Sequence, residues 1–271
     1  MKTGSGHQVG RRAGSALGFF ALALCVPASA VAGAWTLPEG AGQLIETFYG
    51  WAGDGAPWGG DKGVSQWKAG AQTYFQYGVT DTLTIFGETS LDRYVLSRPE
   101  SSSYTGLDYT GLGLRQKLWS SGEWVFSGEA TLLFPGAYDP SSPAQAGNTG
   151  GAGEGRLLVG TNYAFGFLRG FVDLEGAYRI RTAGPPDEWH GDATVGLKLP
   201  WDMMLMGQDF TTISQPSKNL EFPAWRSSIV EASLVLPVFK GWRLQFGYSQ
   251  SVMTVKTNTE HGGIVAVWRD F

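Results

Sequence analysis

Apolar and polar positions alternate along almost the whole chain. Over residues 242–252 one face carries Trp242, Leu244, Phe246, Tyr248 and Val252, and the other carries Arg243, Gln245, Gly247, Ser249 and Ser251. Residues 168–181 repeat the pattern, with Leu168, Val172, Leu174, Tyr178 and Ile180 opposite Arg169, Asp173, Glu175, Arg179 and Arg181. In residues 189–199, Trp189, Ala193, Val195, Leu197 and Leu199 stand against His190, Asp192, Thr194 and Lys198. A period of two belongs to an extended strand, whose successive side chains point to opposite faces. Read this way, the chain divides into twelve strands near 42–52, 64–77, 82–96, 104–118, 123–137, 153–163, 168–181, 189–199, 203–215, 226–238, 242–255 and 260–271. Strand nine is the least regular, because Gln208 shares a face with Met204, Met206 and Phe210.

A soluble sandwich also alternates. Connection lengths separate the two cases. Very short turns lie near Gly78, Ser120, Ala164, Pro200 and Phe239, and longer Gly/Pro/Ser-rich stretches lie at 53–63, 97–103, 138–152, 182–188 and 216–224, with a shorter last one near 256–260. Short and long connections therefore take turns, as in a membrane barrel with tight periplasmic turns and longer outer loops. Tryptophan supports this. Trp119, Trp124, Trp201, Trp242 and Trp268 flank short turns or the C-terminus; Trp51, Trp58, Trp67, Trp189 and Trp225 flank long connections; Trp35 belongs to neither group. Indole prefers the headgroup zone, so two belts at opposite strand ends imply two membrane surfaces. The predicted fold is all-β: a single antiparallel up-and-down transmembrane β-barrel of twelve strands over 35–271, its backbone groups satisfied from strand to strand.

Composition adds the compartment. Residues 1–34 contain no Asp or Glu. Lys2, Arg11 and Arg12 precede the apolar run 16–26, which Pro27 breaks, and small residues follow at Ala28, Ser29, Ala30, Ala32, Gly33 and Ala34. This predicts a cleaved signal peptide over 1–34, cut somewhere between Ala30 and Trp35. The single cysteine, Cys25, leaves with it, which excludes disulfides and thiolate chemistry afterwards. Removing the three basic residues leaves 17 Lys and Arg against 24 Asp and Glu, a net charge of −7, so no nucleic-acid partner is expected. Only 16% of residues are charged, against about 25% in ordinary globular chains.

The chain ends on GGIVAVWRDF, residues 262–271. An alternating apolar run closed by a terminal aromatic resembles the signal read by the barrel-assembly machinery of Gram-negative bacteria. Phe271, Val267 and Val265 fit it; Arg269 stands where that pattern usually has an apolar or aromatic residue, and Trp268 is expected to cover the belt position. The stretch YGVTDTLTI, residues 77–85, resembles the first tight turn of bacterial outer-membrane transporter-like barrels. The resemblance is to Gram-negative outer-membrane β-barrels of the porin and transporter kind. It is architectural and names no substrate. It implies outer-membrane lipids, the assembly machinery and a small-molecule solute as partners.

Candidate chemistry lies on the polar face. Glu88, Glu129, Asp173, Glu175, Asp209 and Glu231 fall near mid-strand. Arg115, Lys117, Arg169, Lys198 and Arg243 fall nearer the short turns, and Lys68, Arg156 and Arg179 nearer the long loops. An acidic band between two basic ones is readable as a wet pore that selects solutes by charge, with a modest cation preference. The alternative is an internal salt-bridge network filling a narrow barrel that spans the membrane without transport. A third reading is a lipid-modifying enzyme with His190 or His261 as base, although no G-x-S-x-G elbow occurs. No D-x-[DN]-x-[DN]-G loop, Walker sequence or cysteine ligand set is present, so no metal or cofactor is expected.

Overall fold

The computed structural model describes residues 33–54, 65–97, 101–136, 150–182, 186–216 and 224–271. The predicted leader up to residue 32 and Trp58 lie outside them. Twelve strands follow in order: β1 Gly42–Asp54, β2 Ser65–Thr80, β3 Leu83–Leu96, β4 Ser102–Ser121, β5 Trp124–Phe134, β6 Ala152–Phe165, β7 Leu168–Arg181, β8 Glu188–Lys198, β9 Met204–Ser214, β10 Arg226–Phe239, β11 Trp242–Val255 and β12 Thr259–Asp270. Each pairs antiparallel with its neighbour in sequence, and β12 returns to β1 to close the barrel. The expected count and order hold, with ends displaced by a few residues. The largest extension is β4, which runs for 20 residues.

Closure follows from backbone hydrogen bonding. A strand edge left open exposes a row of unpaired N–H and C=O groups. Here Gln43 to Asp54 pair in register with Asp270 to Thr259. The seam is finished by two bonds, Gly42 N–H to Phe271 O at 2.8 Å and Phe271 N–H to Gly42 O at 2.9 Å. The five short connections all lie at the end of the barrel that also holds β1's start and β12's finish. Three of them, β4–β5, β6–β7 and β10–β11, turn on glycines in the left-handed region, Gly122 at φ 57°, Gly166 at φ 60° and Gly241 at φ 73°, where a side chain would be strained.

The distribution of polarity is the reverse of a soluble domain. Leu112, Leu132, Leu157 and Ile180 face outwards at 55–62% exposure, while Asp92 and Asp173 are buried inside. Alternation puts each strand's apolar side chains on the exterior and most of its charge on the lumen. At the base of the lumen, near the short turns, the inner face is itself apolar: Phe86, Phe171, Met204, Met206, Val235, Ile264 and Ala266 are all buried there.

Candidate functional site

Strand register brings the lumen charges together. Glu129 stands opposite both Arg115 on β4 and Arg156 on β6. Glu154 stands opposite Arg179, Glu175 opposite Asp192, and Arg179 opposite Glu188. Directly opposed side chains on one face lie within reach of each other, and ion pairs result. Arg115 Nε meets Glu129 Oε2 at 3.0 Å. Arg156 meets Glu154 at 2.9 Å and also contacts Glu175 and Asp192. Arg179 reaches Glu154 at 2.8 Å and Arg181 reaches Glu188 at 2.7 Å. The charges form a belt across β4 to β8, with Arg156 at the centre of three carboxylates.

Two smaller clusters line the opposite wall. The Lys68 ammonium sits 3.0 Å from Asp92 and 5.0–5.5 Å from the ring centroids of Tyr49, Trp51 and Tyr94. Cation–π attraction and a carboxylate thus hold one half-buried lysine. Near the base Arg243 pairs with Asp270 and lies over the Trp268 ring.

The remaining lumen element is the segment 33–41, which no periodicity announced. It enters at the short-turn end and runs inside the barrel. Glu39 N–H bonds Asp81 Oδ1 at 3.1 Å, Leu37 N–H bonds Thr84 Oγ1 at 2.8 Å, and Ala34 N–H bonds Asp173 Oδ1 at 2.8 Å. Arg115 donates to Trp35 O at 3.3 Å, and the Ser127 hydroxyl donates to Ala34 O. The Trp35 ring meets Phe171 edge-on, centroids 5.8 Å apart, and Ala34 packs with Val125 and Leu158. The apolar base of the lumen therefore has an occupant, and the segment narrows the lumen from the short-turn side.

The expected lumen residues are distributed as follows. Lys68, Arg115, Glu129, Arg156, Glu175, Arg179 and Arg243 take part in the ion pairs above. Asp173 binds the segment. Glu88 lies on the same face as the buried Phe86 and Thr84, and Glu231 accepts from Gln245 at 3.4 Å. Lys117, Arg169 and Lys198 have lumen parity near the base, Arg169 and Lys198 being cross-strand neighbours. Sequence reasoning missed Asp92, Glu154 and Glu188, which shared the parity of the residues it did choose.

Asp209 is a correction. Strand β9 faces the opposite way from its apparent pattern: Met204 and Met206 are buried in the lumen, Gln208 bonds Thr194, and Thr212 bonds His190. Asp209 therefore lies on the exterior with Leu205 and Val230, its carboxylate accepting from Thr211 at 2.8 Å and Ser228 at 2.7 Å. The physical reason is the apolar lumen base, which takes the methionines and leaves the intervening positions outside. Glu46 is a second exterior carboxylate, between exposed Leu44 and Phe48, and accepts from Thr73 at 2.6 Å. Asp209→Asn is accordingly expected to leave ion selectivity unchanged; a reversal potential altered by that substitution would place Asp209 back in the ion path.

Trp268 is also corrected. It is 5% exposed and donates from Nε1 to Gln245 at 3.0 Å inside the lumen, because its parity is that of Ile264, Ala266 and Asp270. Trp51, expected in the outer belt, likewise turns inwards and stacks on Tyr49 at 4.6 Å. At the seam Val265 and Phe271 face outwards on the parity that Val267 shares, Phe271 stacks on Phe75 at 6.4 Å, and Arg269 covers Trp242 at 5.2 Å. His190 is part of the lumen belt, 3.3 Å from Glu188 and 3.3 Å from the Thr212 hydroxyl, whereas His261 lies on the exterior face opposite Ala52.

No family model and no curated protein matches the chain. Solved structures do. An outer membrane channel from Pseudomonas putida F1 superposes with a TM-score of 0.70 at 13% identity, over 88% of this chain and 98% of that one. The translocator domain of the autotransporter NalP from Neisseria meningitidis gives 0.52 at 13% identity, over 87% and 90%. A KdgM porin gives 0.52 at 7% identity, over 84% and 99%. At such identities the likeness is one of architecture, and the chain has the fold of the outer-membrane β-barrels.

Proposed function

We propose that this protein is a channel in the outer membrane of a Gram-negative bacterium, passing small solutes and preferring cations modestly. The observation that carries the reading is the polarity of the wall, apolar outside and charged within a closed twelve-strand barrel. An apolar exterior suits lipid, and a charged interior suits a wet path. Glu88 and Glu231 enter no ion pair with a basic side chain among the described residues, and Arg156 is shared by Glu154, Glu175 and Asp192. The belt therefore leaves an acidic surplus on the lumen wall. Low-dielectric walls strengthen that field on a passing ion, while charges near the mouths are screened by bulk salt. The likeness to an outer membrane channel and a porin supports the same reading. Its companion is a cleaved export leader, followed by insertion through the barrel-assembly machinery with Val265, Val267 and Phe271 as the terminal signal.

Planar-bilayer recordings test the channel. Reversal potentials in a salt gradient are expected to show a cation preference. Glu231→Gln, which keeps the side chain's shape, is expected to reduce it with little change in melting temperature. A folded barrel with no conductance in any salt would instead establish a non-transporting role. Phe271→Ala is expected to lower the amount of heat-modifiable barrel in outer-membrane fractions, because it removes both the terminal aromatic and its stacking on Phe75. Unchanged amounts would remove Phe271 from the assembly signal.

A further inference from the structure

Asp173 is 1% exposed on the lumen side of β7 and accepts the Ala34 amide at 2.8 Å. No basic side chain of the described residues lies in ion-pair range of it. Glu175 shares its strand and face two residues on, and Arg115 from β4 is already paired with Glu129. A buried carboxylate without a cation is costly, so a counter-ion is to be looked for. Gly33 is packed directly against it: a side chain placed on Gly33 would overlap the Asp173 carboxylate, and the residue holds φ at 79°. The Gly33 nitrogen is one bond, about 1.5 Å, from that α-carbon. In an unprocessed chain this nitrogen is a neutral amide.

We propose that the Ala32–Gly33 bond is the processing site of the leader and that the α-ammonium released on Gly33 is the counter-ion of Asp173. The inference rests on the cleaved-leader reading. Ala30 and Ala32 supply the two small residues that such a cut requires. In the hydrolysis, water adds its hydroxyl to the Ala32 carbonyl carbon, the C–N bond breaks, and the nitrogen takes the remaining hydrogen. The resulting amine binds a further proton at neutral pH, since an α-amino group titrates at about 7.7–8.0. A cut after Ala30 would leave two residues between the ammonium and Asp173. A cut after Ala34 would discard the residues that bond Asp173 and Ser127 and fill the pocket beside Val125 and Leu158. Processing thus adds a charge to a segment that the Ala34 and Leu37 amide bonds already hold against the wall.

Intact mass and N-terminal sequencing of protein from outer-membrane fractions are expected to show a start at Gly33. In the folded barrel the Gly33 α-amine is expected to be acylated about fivefold more slowly at pH 8 than in the unfolded chain, as for an amine whose pKa is raised by one unit from the free range of about 7.7–8.0. Asp173→Asn is expected to recover most of that rate, with heat-modifiability on gels reporting folding separately. A start at Val31 or Trp35 overturns the proposed site. A start at Gly33 with equal rates in folded and unfolded chains, or in folded wild type and folded Asp173→Asn, overturns the ion pair. A start at Met1 overturns the leader reading and the inference with it.

Discussion

Refolded without residues 33–40, the barrel is expected to carry severalfold more current per channel than the chain that keeps them. The segment crosses the lower lumen on bonds to Asp81, Thr84 and Asp173, and its Trp35 ring stands against Phe171. The twelve strands close on one another through β1 and β12, independently of the segment. Its removal therefore widens the path and leaves the wall in place. Water can then solvate Asp173 and the Ser127 hydroxyl, which limits the cost in stability, and the freed carboxylate adds to the acidic surplus. Conductance and cation preference are thus expected to rise together. Single-channel recordings in symmetric and graded salt read both quantities. Equal conductance with and without the segment would show that the narrowing lies elsewhere, at the Arg156 belt or in the outer loops.

The second large effect is on stability. Arg156→Met is expected to lower stability by about 3 kcal/mol at neutral pH, the low end of the range for stranding buried charges. The low end applies because the lumen retains some water: Arg156, Glu175 and Asp192 are 14–18% exposed. The substitution leaves Glu154, Glu175 and Asp192 facing one another, with Arg179 still on Glu154 and the His190 ring 4.0 Å from it. The sign of the pH dependence follows. Below about pH 4 free carboxylates take up protons, so the repulsion disappears and the gap between variant and wild type narrows as pH falls. Arg156→Lys, which keeps one charge without the planar fork, is expected to fall between the two. Thermal or urea unfolding in detergent at pH 7 and pH 4 measures the effect. A gap unchanged between pH 7 and pH 4 would mean the belt's carboxylates are already neutral in the native barrel.

Much of the wall was legible in the sequence. Twelve strands, five tight turns and the end of the barrel holding both strand termini follow from a period of two and from connection lengths, because lipid-type exteriors and polar lumens impose opposite polarity on alternate residues. Strand β9 shows where that inference stops. Alternation assigns two faces but not which is outer, and Met204 and Met206 look lipid-facing until the apolar lumen base is known. The same ambiguity hid Trp268 and Trp51 inside, since a tryptophan near a strand end suits either a headgroup zone or a lumen cluster.

The site divides in the same way. That Glu129, Arg156, Arg179 and Glu175 share an inner surface was readable from parity within each strand. That Arg156 serves Glu154, Glu175 and Asp192 together was not, because those contacts depend on the stagger between neighbouring strands. Stagger is fixed by turn geometry and barrel closure rather than by any one segment. The lumen segment lay furthest from view: Ala34 and Asp173 are 139 residues apart, and the segment has no periodic pattern to mark it. By itself the sequence determined the wall, because solvent polarity acts on every residue locally. Only the tertiary structure decided what fills the wall, because packing inside a closed barrel joins residues whose sequence neighbours carry no trace of the contact.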